Sequence, residues 1–398
     1  MKKFVFLGLL YPYEREDEIR ENMIVNISNA PNVFQWNLLH GIQKLVGSKL
    51  SVVNVLPVGI WKRQYRKFFL NDSDWKSKGV LGHEIGSINL PFLKQWQRSV
   101  KIKKYLKTVA DENTEIILYS AYMPFLKAVY KFPKNIKITA IITDLPDYYD
   151  LGQTSSIRKF LRSVQNRMIK RYLKRIDRFV VLTKQMCEPL EVGDRPWVCV
   201  EGICDAEQKV ISNEKNDKHI IFYSGTLHYQ YGIKNLLDAF SLMENENIQL
   251  WICGGGEAKA EIELLAQKDN RVKFYGFCTQ SEVAELRNQA DILVNPRPNE
   301  GEYVKYSFPS KTMEYMASGK PVVMYKLDGI PDEYDRYLNY VNPFGDKSTQ
   351  FAAALQEVIY KYDDALKKAE EAREFVIKNK NAVCQAQKIL DLTGVINE

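Results

Sequence analysis

The chain has 398 residues, 45% of them apolar and 26% charged, with a formal net charge of +7, which suits a globular protein of two or three domains. No apolar run approaches the roughly 18 residues of a membrane-spanning helix, and no short repeat or low-complexity stretch is present, so a helical membrane span, a solenoid and a disordered chain are excluded. Charge is uneven: residues 1–200 carry 33 Lys and Arg against 18 Asp and Glu, and residues 201–398 carry 23 against 31, so the first half is expected to favour an anionic partner.

The chain opens with two lysines and an apolar run to Leu10, then turns charged at Glu14–Glu18 with no small-residue cleavage site; this reads as a first buried strand rather than a signal peptide. Further strands are expected at Leu50–Leu56, Glu115–Tyr119, Ile138–Thr143, Arg178–Leu182 and Trp197–Val200. In the second half they are expected at His219–Ser224, Ile248–Cys253, Val272–Tyr275, Asp291–Asn295, Pro321–Tyr325 and Leu338–Val341. Continuous apolar runs alternating with helical segments indicate parallel sheets covered on both faces, hence two doubly wound α/β domains. The polar, aperiodic stretch Asp205–Lys218 marks the break between them. The domains are expected at 1–204 and 205–380, with 381–398 as a helix returning to the first.

Between those strands, Ser156–Arg178 forms a basic amphipathic helix. Ile157, Leu161, Val164, Met168, Tyr172 and Ile176 fall on one stripe, and the rest carries nine Lys or Arg and one acid. It is either a covering helix or an interfacial one for anionic lipid. Two more basic-aromatic patches, Trp61–Phe69 and Lys101–Lys107, point the same way. No nucleic-acid recognition module is visible. Asp72-Ser73-Asp74 has the spacing of a metal-diphosphate ligand pair but lies far along the chain from every other motif, and no metal site is expected. The six cysteines show no CxxC pair and read as reduced packing residues of a cytosolic protein. No GxSxG elbow or HExxH is present, which removes the usual esterase and zinc-hydrolase readings.

Ligands of open α/β sheets bind at the carboxyl ends of strands, so the loops that follow the strands matter most. Ser224-Gly225-Thr226-Leu227-His228 follows one strand and Gly254-Gly255-Gly256 the next; the latter offers close backbone approach without being GxGxxG. Asn295-Pro296-Arg297 ends a third. After it comes Tyr303-Val304-Lys305-Tyr306-Ser307-Phe308-Pro309-Ser310-Lys311-Thr312-Met313-Glu314, a helix start with Pro309 in the first turn and the cap at Ser307 or Phe308. Lys311 opposes the positive end of the helix dipole unless an anion sits there. Glu314, three residues on, shares its face. The pair suits a phosphate and nearby sugar hydroxyls; a surface ion pair is the alternative.

From Ile220 to Val358 the ordered set Tyr223–Leu227, Tyr231–Phe240, Trp251–Gly256, Val272–Gly276, Ala290–Pro296 and the Tyr303–Glu314 motif resembles the family-4 glycosyltransferases, retaining enzymes of the GT-B fold. Phe308-Pro309-Ser310-Lys311 resembles the branch associated with capsular and exopolysaccharide assembly. The first half matches less closely, through Asn29–Asn37, which in that family borders the cleft. The resemblance implies two Rossmann-like domains facing a central cleft, a metal-independent hexosyltransferase and a nucleotide-sugar donor, with UDP the expected nucleotide. It implies a glycan or polyprenyl-linked glycan acceptor on the first domain, and a cytoplasmic protein able to sit peripherally on the inner membrane face. Donor contacts are expected from Gly225, Thr226, Gly254, Gly255, Lys305, Ser310, Lys311 and Glu314, with Glu314 on the ribose. Departures from the family pattern are clear. Its usual paired glutamate falls on Tyr306, its usual Arg and Lys on Thr226 and Tyr231, and a frequent first-domain histidine on Thr143, beside Asp144. Arg297, Lys305 and Lys311 are therefore expected to replace the phosphate clamp, with Asp144 orienting the acceptor. A nucleotide-sugar epimerase or hydrolase of the same fold, or a non-catalytic partner subunit, are the alternatives.

Overall fold

The computed structural model describes residues 2–25, 29–146, 156–204 and 218–394, the side chains of 156–160 excepted. The chain divides into two compact units, 1–203 with 382–398, and 204–381.

Unit 1 contains β1 (Lys3–Gly8), α1 (Glu16–Glu21), α2 (Ala30–Val46), β2 (Leu50–Asn54), β3 (Phe69–Leu70), β4 (Ser73–Ser77), β5 (Val80–Glu84), β6 (Ser87–Ile88), α3 (Leu93–Val109), β7 (Thr114–Tyr119), α4 (Met123–Val129), β8 (Lys137–Ile142), α5 (Ser156–Leu173), β9 (Arg178–Val181) and β10 (Trp197–Cys199). Its main sheet has the order β10-β9-β8-β7-β1-β2-β5-β4, parallel except for β4 against β5. The opening apolar run is a central strand, with Phe4, Val5, Phe6 and Leu7 buried between β2 and β7. Burial on both faces explains why these strands are apolar throughout. Right-handed crossovers put α2 on one face and α3, α4 and α5 on the other.

Unit 2 contains β11 (His219–Thr226), α6 (Ile233–Ser241), β12 (Ile248–Gly255), α7 (Lys259–Lys268), β13 (Val272–Phe274), α8 (Gln280–Gln289), β14 (Ile292–Asn295), α9 (Ser310–Ala317), β15 (Val322–Met324), β16 (Asn339–Tyr340), α10 (Lys347–Tyr360) and α11 (Tyr362–Asn379). All six strands are parallel, in the order β13-β12-β11-β14-β15-β16. The strand order therefore reverses between β11 and β14, and the crevice beyond their carboxyl ends is where this topology binds ligands. The last helix, α12 (Ala382–Leu392), packs on α2, which returns the chain to unit 1.

All twelve strands expected from apolar runs are present. The strands β3 to β6 were not expected from the apolar runs. The expected cap of α9 moves by one or two residues: Pro309 is itself the cap, with φ −65° and ψ 114°, and its carbonyl accepts the first helical bond from Thr312 N–H at 2.9 Å.

Candidate functional site

In unit 2 the carboxyl ends of β11 and β12 stay paired into their glycines, Gly225 opposite Gly254 and Thr226 opposite Gly255. Gly254 has φ 143°, and a Cβ there would lie 1.8 Å from the Gly225 carbonyl oxygen. The two strand ends approach this closely because Gly254 carries no side chain. On the other side of Gly225 lies Lys311, whose Cε and Nζ would be 3.1 and 3.2 Å from a Cβ on that glycine. The Lys311 ammonium donates to the Ser224 carbonyl and, at 3.2 Å, to Ser224 Oγ. Burial pushes its proton affinity below the ordinary lysine value, while the Glu314 carboxylate pulls the other way. A cation is thus fixed at the switch point, at the start of a helix whose Ser310 and Lys311 N–H groups precede the first helical bond.

Glu314 is exposed, one turn further along α9, and accepts from Arg287 Nη1 at 3.4 Å. Arg287 is 9% exposed. It comes from the last turn of α8 and its Nε is buried without a hydrogen-bond partner. Its charge also depresses the proton affinity of Lys311. Sequence reasoning missed this arginine. It sits among the charges of an ordinary surface helix, and only the packing of α8 beside β11 brings it to Glu314.

The other expected cations have different partners. Arg297 Nη1 donates to Ser307 Oγ at 3.0 Å, and its guanidinium lies 4.9 Å from the Tyr303 ring and 5.7 Å from the Tyr231 ring. Gly232, at φ 79°, makes this packing possible, because a Cβ there would meet the Pro296 carbonyl oxygen at 1.9 Å. Lys305 faces its own segment: Nζ is 3.6 Å from Glu302 and 5.1 Å from the Tyr306 ring centroid. Hydrogen bonding to Tyr306 raises its proton affinity. Of the three cations, Lys311 is the one held against the Gly225 turn. Ser310 and Thr226 are exposed.

In unit 1, Asp144 lies just past β8, exposed, accepting from Thr143 Oγ1 at 3.1 Å. The Asp72 and Asp74 carboxylates are occupied locally. Asp72 accepts from Gly86 N–H at 3.0 Å and pairs with Lys101, and Asp74 meets His83 Nδ1 at 2.6 Å. Among the described residues no group of three or more His, Cys, Asp and Glu could hold a metal ion. The helix α5 is half covered: Ile169 and Leu173 are buried, while Leu161, Val164 and Met168 are exposed. Ile157 lies outside the described side chains. The loop after β1 is filled from within. Gln35 Oε1 accepts from Leu9 N–H and Asn32 Oδ1 from Tyr11 N–H, at 2.8 and 2.9 Å. Beside it, buried Lys94 donates to the Val58 and Gly59 carbonyls. Burial, with Arg98 nearby, pushes its pKa down to about 7.

Residues 205–377 match the family described as glycosyl transferases group 1. The chain is 25% identical over 291 residues, 68% of its length and 70% of the relative's, to a Bacillus subtilis (strain 168) protein named as a teichuronic acid biosynthesis glycosyltransferase, TuaH. Solved structures similar over nearly the whole chain include the sucrose-phosphate synthase of Thermosynechococcus elongatus, at TM-score 0.67 and 15% identity, covering 99% of this chain and 98% of that one. The UDP-forming α,α-trehalose-phosphate synthase of Burkholderia xenovorans gives TM-score 0.69 at 11% identity, covering 99% and 100%. The lipopolysaccharide outer core galactosyltransferase WaaB gives 0.64 at 14%, covering 98% and 99%. The fold is therefore GT-B, and the Lys311–Glu314–Arg287 group lies within the matched glycosyl transferases group 1 region.

Proposed function

We propose that the protein is a retaining, metal-independent glycosyltransferase of cell-surface polysaccharide synthesis. It moves a sugar from a nucleotide-sugar, UDP-linked, to a glycan or polyprenyl-linked glycan. The observation that carries the reading is Lys311, its ammonium tied to the Ser224 carbonyl beside the Gly225 turn at the switch point of unit 2. As the bond between the sugar and the diphosphate breaks, negative charge grows on the departing oxygen. A fixed ammonium and the N–H groups at the start of α9 stabilise that charge without reorganising. Glu314 takes the ribose hydroxyls, Arg287 holds the Glu314 carboxylate in place, and the Gly225 and Gly254 turns let the diphosphate approach backbone. Arg297 braces the Tyr231 and Ser307 loops around it. The basic first unit receives the acceptor, with Asp144 orienting its hydroxyl, and meets an anionic membrane surface. The names of two similar proteins, one of teichuronic acid biosynthesis and one of lipopolysaccharide outer core, support a cell-surface glycan.

Thr226, Tyr231 and Tyr306, standing where the resembled family carries charged groups, favour a second reading as a non-catalytic partner subunit. The test is turnover of UDP-sugars with polyprenyl-diphosphate-linked glycans in the presence of a chelator, the product anomer being read by NMR. Transfer with the donor's anomeric configuration kept is expected. Release of UDP without any acceptor would indicate a hydrolase, inversion would remove the retaining assignment, and nucleotide binding without turnover would favour the partner subunit.

A further inference from the structure

Unit 1 carries an unusual surface at the amino end of α3. Phe92, the residue before the helix, is 85% exposed. Its backbone is at φ 61° and ψ −49°, and Leu93 N–H donates to the Pro91 carbonyl at 2.6 Å across it. This is a γ-turn of the rare positive-φ kind, costly for a bulky residue. Trp96 and Val100 continue the stripe at helical spacing, 57% and 50% exposed. Lys104 and Lys107 follow it on the outer side of the same helix. The β3–β6 ribbon is fastened alongside by Ile88 N–H to Gln97 and by Asp72 to Lys101, and it adds exposed Phe69.

Topology fixes where this surface lies. A helix that returns the chain to a parallel strand begins at the carboxyl ends of the strands. The Phe92 end of α3 therefore lies at the same end of the sheet as Asp144 and the loops after β1 and β7. Exposed Leu161 and Val164 of α5 belong to the same helical layer. Among the described residues no helix is long and apolar enough to cross a membrane. Exposed aromatic rings beside lysines, on a unit with a large cationic excess, match the chemistry of a bilayer interface: rings enter the headgroup boundary and ammonium groups meet anionic lipid.

We propose that the Phe92–Trp96–Val100 stripe, with Phe69, Lys104 and Lys107, is the surface by which this protein lies on an anionic lipid bilayer. The inference rests on the proposed membrane acceptor only for its purpose, and assigns the surface that meets the lipid. Docked there, the strand ends of unit 1 sit beside the headgroups, where a lipid-linked acceptor would present its glycan.

Phe92→Gly separates the fold from the surface, because glycine adopts the γ-turn without penalty. Sedimentation with vesicles of equimolar phosphatidylcholine and phosphatidylglycerol should pull down the wild-type protein. Vesicles of phosphatidylcholine alone should not. F92G and W96S should each lower the partition coefficient about tenfold, and K104Q/K107Q about as much, while F92G keeps or raises the thermal midpoint. A wild-type protein that ignores anionic vesicles, or an F92G/W96S protein that binds them unchanged, overturns the proposal. So does binding to a soluble anionic polysaccharide with none to vesicles, which would make this a glycan surface. Nucleotide binding by F92G is measured in parallel. It should be unchanged, so a failure of the lipid surface and a failure of the donor site are read separately.

Discussion

The two units share the strand order of a doubly wound sheet, yet they fill the corner at its switch point differently. In unit 2 the first strand ends in Gly225 and Thr226, its neighbour in Gly254 and Gly255, and a lysine reaches across to the Ser224 carbonyl. In unit 1 the corresponding loop runs through Leu9, Leu10 and Tyr11. Its N–H groups are taken by Gln35 and Asn32 from α2 and by Asn54 from β2, all nearly or fully buried. The same topology thus gives a glycine turn faced by a cation in one unit, the place proposed for the ligand, and a corner closed by side-chain amides in the other. Topology offers the place, and side chains decide whether it is used.

Substitutions in each unit sharpen this contrast. The largest effect is expected for K311A, which removes the fixed charge from unit 2. Affinity for the nucleoside diphosphate should fall about 100-fold by calorimetry, in line with a charge-assisted hydrogen bond in a partly desolvated site. Q35A in unit 1 should do the reverse. It leaves Leu9 N–H unpaired and should cost about 2 kcal/mol of stability in a denaturant titration, with nucleotide affinity unchanged. A loss of nucleotide affinity in Q35A would break the comparison.

Smaller effects follow. E314A should weaken binding about tenfold, which is about 1.4 kcal/mol. A pH series tests the buried polar corner of unit 1. The folded pKa of Lys94 is about 7, below the ordinary lysine value, so between about pH 7 and 10.4 the unfolded chain binds more protons there. Wild-type stability should therefore rise with pH through that window relative to K94M, by at most about 1.4 kcal/mol per pH unit. A flat difference would contradict the burial of that ammonium. The smallest expected effect is R287M, a loss of a few-fold. If Arg287 acts through Glu314, the double variant R287M/E314A should be no worse than E314A, with a coupling of about 0.5–1 kcal/mol.

The parallel strands were legible because they are buried on both faces and so read as unbroken apolar runs. The strands of 69–88 were not. Phe69-Leu70 and Ser87-Ile88 are too short to show a period, and Ser73–Ser77 alternates polar residues on an exposed edge. The ladder of β11 and β12 also runs into glycines that by composition read as loop, since each strand end supplies the other's partner. At the site, Lys311 and Glu314 were legible because one helical turn links them. Arg287 was not, because 27 residues separate it from Glu314 and only tertiary packing closes the gap. Within Asn29–Asn37, the sequence does not show that Asn32 and Gln35 turn inward to close the loop after β1, because their partners Tyr11 and Leu9 lie more than 20 residues away. Phe92 carried no sequence signal at all, since its exposure follows from a backbone turn.

The most direct test of the central claim, that the β11–β14 switch point is a nucleotide-diphosphate site built on Lys311 and Glu314, is thermal unfolding with UDP, GDP, dTDP, CDP and ADP, repeated in K311A and E314A. A saturating ligand, at about a hundred times its dissociation constant, adds roughly 2.7 kcal/mol. The account predicts a rise in midpoint with UDP that falls to about half in E314A and to a small remnant, about 0.4 kcal/mol, in K311A. A rise of equal size in all three proteins would contradict it.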